Sequence, residues 1–104
     1  MDQLTLMAER IIKDCNSILK DKVYRSPNVE VVKVILKDFE EILQTMKNQN
    51  QMLFLNPKKE LWSNRVIIDS ANYSYDSELF DMVNAFIKIA RCIPDDQILY
   101  CFNY

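Results

Sequence analysis

A chain of 104 residues that contains no glycine has few ways to turn sharply. Glycine supplies the positive-φ positions on which tight β-hairpins and phosphate-cradling loops depend. Its absence favours helices joined through Asn, Ser, Asp and Pro. Nine Asn, eleven Ile and nine Lys against four Ala point to an AT-rich coding bias, which accounts for part of the shortage. The absence also removes named chemistries. The P-loop, the dinucleotide fingerprint and the G-x-S-x-G elbow all need glycine. There is no histidine either, so the usual neutral-pH base, the Ser–His and Cys–His dyads and the commonest zinc ligand are missing.

Apolar material is nonetheless plentiful. With 49% hydrophobic and 27% charged residues the chain can build a core, and one domain over residues 1–104 is expected. No run of about eighteen apolar residues suggests a membrane span. Asp2, Glu9, Arg10, Lys13 and Asp14 interrupt the first twenty residues, so no signal peptide is expected. The cysteines Cys15, Cys92 and Cys101 form an odd set without close pairing, which reads as reduced thiols in an intracellular protein. A net charge of −2 gives no global attraction to nucleic acid or anionic lipid.

Three segments carry a helical period. Over residues 2–22, Leu4, Ala8, Ile11, Cys15 and Ile18 recur at steps of four and three, widened by Met7, Ile12 and Leu19. From Ser26-Pro27, a cap followed by a first-turn proline, Val32, Ile35, Leu36, Phe39, Ile42, Leu43 and Met46 mark a second stripe. Over residues 75–93, Leu79, Val83, Phe86, Ala90 and Ile93 mark a third. Its wide apolar arc predicts the central helix, ended or bent by Pro94.

Between the second and third segments, Asn56-Pro57 with Glu60 resembles a capped helix start. A helix over residues 57–70 would turn Leu61, Trp62, Val66 and either Ile67 or Ile68 inward. An extended piece over residues 65–68 is the alternative. The tail, residues 97–104, reads as a short helix or as an extended segment packed across the bundle.

Candidate chemistry is sparse. Cys92 sits beside Arg91, and a neighbouring cation lowers a thiol's pKa, yet a helix C-terminus opposes the thiolate. Cys15 lies in a core stripe. Glu40 and Glu41 point about 100° apart on a helix and do not converge. Lys20, Lys22 and Arg25, with Lys58, Lys59 and Arg65, form two basic groups near the interhelix links.

Apolar residues outside the stripes are the positive signal. Leu6, Val31 and Val34 lie off the core faces of the first two helices. Met52, Leu53, Phe54 and Leu55 follow, then Tyr73, Tyr75, Tyr100, Phe102 and Tyr104. Aromatics and Met left near a surface are what interfaces are enriched in.

The expected fold is therefore all-α, a compact bundle of four to five helices. The expected function is a non-enzymatic interaction module, an adaptor or complex subunit. Leu6, Val31, Val34, Met52, Phe54, Tyr73, Tyr75, Tyr100, Phe102 and Tyr104 are its partner-binding residues. The partner is another protein or a second copy of the chain. No cofactor, metal, membrane or small-molecule substrate is expected, and nucleic acid is disfavoured. One alternative is a nucleic-acid-associated regulator using the basic groups. Another is a viral-type helical mimic that binds host signalling or cell-death proteins, although the Asn-Trp-Gly-Arg groove motif of such bundles does not occur here.

Overall fold

The three periodic stripes become three long helices in the computed structural model, which describes residues 2–21, 28–63, 65 and 77–101. They are α1 (Asp2–Lys20), α2 (Asn28–Gln49) and α3 (Ser77–Ala90). Asp2 and Lys20 lie at the ends of α1 where their charges complement the helix dipole. The spacing of Leu4, Ala8, Ile11, Cys15 and Ile18 puts all five on one buried face. That face packs against both α2 and α3, so α1 is the central helix. The wide arc of α3 has another origin: Ile89 stays 36% exposed, and Phe80 and Met82 are only half-buried. From α2, Val31, Val32, Ile35, Phe39, Ile42 and Met46 complete the core, and Phe39 meets Phe86 of α3 edge to face, centroids 4.9 Å apart.

The molecule is mostly helical, but the expected four to five helices are three among the described residues. Between α2 and α3, helical backbone is found at Trp62, Ser63 and Arg65. The C-terminal leg begins with one 3-10 turn, Asp95–Gln97. What replaces the extra helices is a short sheet. Strand β1 (Met52–Phe54) pairs in parallel with β2 (Ile98–Tyr100), Met52 opposite Ile98 and Phe54 opposite Tyr100. The Cys101 amide donates to the Phe54 carbonyl at 2.8 Å and extends the ladder. The tail thus combines both expected forms, one helical turn and then an extended segment.

With no glycine, the chain takes its left-handed positions with Asn50 (φ 53°) and Lys59 (φ 59°). Asn50 ends α2, its amide bonded back to the Met46 carbonyl at 3.1 Å, and aims the chain into β1. The Asn56-Pro57 pair is a turn and not a helix cap. Pro57 pre-sets the first corner, the Lys59 amide donates to the Asn56 carbonyl at 2.9 Å, and the Asn56 side chain accepts from the Lys58 amide. Asn56 Nδ2 also donates to Glu60 Oε2, which holds the half-buried Glu60 carboxyl below its ordinary range.

Lys59 then reaches across to the end of α3. Its ammonium donates to the carbonyls of Arg91 (3.1 Å) and Ile93 (3.2 Å) and lies 3.5 Å from Asp95 Oδ1. Arg91 Nε returns a bond to the Lys59 carbonyl. A cation on the last carbonyls of a helix satisfies acceptors that have no partner inside it.

Two substitutions check these devices. Asn50→Gly should leave stability unchanged or slightly raised, whereas Asn50→Val should cost about 1–2 kcal/mol in a denaturant titration, because a β-branched residue resists positive φ. Lys59→Met, which keeps an apolar stem but removes the charge, should cost about 1 kcal/mol in the same assay.

Candidate functional site

Along one flank of α2, Val34, Lys37, Asp38 and Glu41 follow one another at helical spacing. Opposite them stands the segment that leaves the Asn56–Lys59 turn, Leu61 to Ser63. One buried bridge holds the two walls together. Asp38 Oδ2 accepts from the Ser63 hydroxyl at 2.8 Å and from the Ser63 amide at 3.1 Å. The carboxylate thereby caps the helical backbone that starts at Trp62 from outside that segment, meeting an N–H that its own helix cannot satisfy. Burial pushes the Asp38 carboxyl above the ordinary aspartate value. The two Ser63 bonds pull it back, and the charge of Glu41 pushes it up further. Ser63 is fully buried. Its hydroxyl is a structural donor here, out of reach of any substrate.

Trp62, next to this anchor, is left 47% exposed. The result is a groove of two adjoining parts. The outer part, about 390 Å³, lies between Val34, Lys37, Asp38, Glu41 and Trp62. The inner part, about 140 Å³, has a floor of Leu53, Phe54, Leu55 and Leu61, with Asp38, Glu41, Trp62 and Cys101 around it. The Cys101 thiol is raised by partial burial and then by the negative field of Glu41 and Asp38. Cys92 stands apart, exposed at the end of α3 with its thiol directed to the Lys88 carbonyl. Among the described residues no three Cys, Asp or Glu side chains converge as metal ligands.

The sequence-predicted binding residues divide into five groups. Met52 and Phe54 are fully buried and Val31 is 6% exposed, so these three are core residues and not a free surface. Met52 and Phe54 are covered because β1 lies between α2 and β2. Val31 is covered because the buried arc of α2 is wider than its main stripe. Tyr100 is half-buried against the core. Leu6 is 66% exposed, but it borders a different depression, between α1 and α3, lined by Glu9, Arg10, Lys13 and Met82. Val34 is half-buried in the Trp62 groove. Tyr73, Tyr75, Phe102 and Tyr104 lie outside the described residues.

Trp62, expected inward, proves to be the most exposed aromatic side chain among the described residues. The inward reading carries Leu61 and Trp62 on one helix from Pro57, whereas Leu61 is buried ahead of the helical backbone and Trp62, its first residue, stays at the surface. Asp38 is not among the sequence-predicted residues. Its spacing from Ile35 and Ile42, three and four residues, places a carboxylate at the margin of a core stripe, and that is the signal that could have found it.

Cys101 gives a direct test of this electrostatic picture. Its alkylation by iodoacetamide should rise with pH along a curve displaced to higher pH than that of a free cysteine, and Glu41→Gln should move the curve back. Asp38 gives a second. A carboxyl whose folded pKa is raised binds its proton more tightly in the native than in the unfolded state. Its contribution to stability is therefore greatest below the ordinary aspartate pKa and declines as pH rises through the folded value. Asp38→Asn should remove that decline from a plot of stability against pH.

No known family model matches the sequence, and no curated protein or solved structure is significantly similar to it.

Proposed function

We propose that this protein is a non-enzymatic interaction module, an adaptor or complex subunit, that docks a partner protein in the groove between α2 and the Trp62 segment. The observation that carries the reading is a half-exposed tryptophan at the mouth of a cleft with an apolar floor. Indole is the side chain most enriched at interaction hot spots, and a well-packed pocket around it excludes water from the contact. Val34 supplies an aliphatic wall on the opposite side. An intracellular setting accords with the three free cysteines. Among the described residues no helix is long and apolar enough to cross a membrane.

A nucleic-acid role has less support. Lys59, one of the six cations that suggested it, is engaged with α3 carbonyls and Asp95, its side chain 23% exposed. The carboxylates of the groove would repel phosphate.

Affinity purification from the native source with wild-type protein, Trp62→Ala and Val34→Asp tests the proposal. Specific partners should be retained by the wild type and reduced about tenfold or more by either variant, since hot-spot truncations cost about 2 kcal/mol or more. The helical circular-dichroism signal should be unchanged. Equal recovery by all three proteins would place the contact elsewhere.

A further inference from the structure

The groove is apolar in its floor and acidic in its walls, and this combination selects among partners. Glu41 is exposed and forms no ion pair among the described residues. Asp38, three residues earlier on the same helix, is partly buried beside it, with one oxygen taken by Ser63. Lys37 stands only at the outer part. The inner part has both carboxylates around it and no cation among its described lining residues. The Cys101 thiol, pushed up first by burial, is pushed up further by these two carboxylates. Trp62 adds an indole, the aromatic ring that attracts cations most strongly.

Resting on the docking reading above, we propose that the occupant is a peptide segment of a partner protein that carries an arginine or lysine beside an apolar residue. The cation sits between Glu41, Asp38 and the Trp62 indole, and the apolar neighbour covers the floor near Leu53 and Leu61. A guanidinium meets two requirements at once, because it bonds carboxylates in a fork and stacks on aromatic faces. A free metal ion fits less well, since no third ligand converges there among the described residues. An anionic segment would place like charges together in a desolvated contact and is disfavoured.

Trp62 is the single tryptophan of the chain, so its fluorescence reports this groove without a label. The experiment pans a random peptide display library against the full chain. The enriched peptides are then synthesised and titrated by calorimetry against wild type, Glu41→Gln and Trp62→Ala, at low and high salt, with Trp62 emission followed in the first two and circular dichroism as a check on folding. The inference expects enrichment of Arg or Lys next to an aliphatic or aromatic residue, and a saturable change in Trp62 emission. It expects binding to weaken about fivefold or more in Glu41→Gln, and to weaken further as salt screens the contact. Enriched peptides without basic residues, which change Trp62 emission and bind Glu41→Gln as well as wild type, would overturn the charge preference and leave the docking groove standing. Peptides that bind without affecting Trp62 and are insensitive to Trp62→Ala, or no enrichment at all, would overturn both.

Discussion

The fold depends on one face of α1. Ala8, Ile11 and Cys15 have no exposure, and Leu4 and Ile18 close the two ends of the same stripe. The small side chains at Ala8 and Cys15 let neighbouring helices come close, and Ala90 on α3 is likewise fully buried. Because α1 packs along both α2 and α3, loss of its apolar stripe would expose both partners together. Phe39 and Phe86 then join α2 to α3 directly, in the edge-to-face arrangement that adds about 0.5–1.5 kcal/mol to their burial.

Upon that helical base, a few polar contacts decide where the rest of the chain lies. The Lys59 ammonium fastens the turn after β1 to the end of α3, and so aligns the chain for the pairing of β2 with β1. Asp38 fastens Ser63 to α2 and leaves its neighbour Trp62 at the surface. These are charged or partly buried groups with several partners each. Such contacts act through direction more than through net energy, since desolvation offsets much of their attraction. The exposed pair between Lys47 and Glu9, which also bridges α1 and α2, adds little by comparison.

What could be read from the sequence follows the same division. The stripes of α1, α2 and α3 were legible because a helix repeats its buried face every three to four residues, and the residues named for α1 are the ones that are buried. The sheet was not legible as a sheet. Met52 to Leu55 is a short apolar run between Asn50 and Asn56-Pro57, which can equally be a strand buried on both sides. In a fold built of helices alone such a run has no cover and reads as surface. Pairing with β2 depends on residues far along the chain, and no local pattern encodes that. Of the candidate site, Val34 was legible as an aliphatic residue on a polar face, and Phe54 as part of the apolar run that becomes the groove floor. Trp62 and Asp38 depend on which residue starts a helical segment and on a contact between two elements, so their roles emerge only in three dimensions.

The parallel pairing of the strands also bears on how the protein is made. During synthesis β1 leaves the ribosome well before β2, and the whole of α3 must be added in between. Until Ile98–Tyr100 arrives, Met52–Phe54 is an apolar strand without its ladder partner, the kind of template to which other nascent chains add. The closing of such a distant ladder also requires a large loop to be ordered first, which slows it relative to helix formation. A later-translated strand therefore shields an earlier hazard, and a transcript truncated before it would yield a helical protein with an adhesive edge.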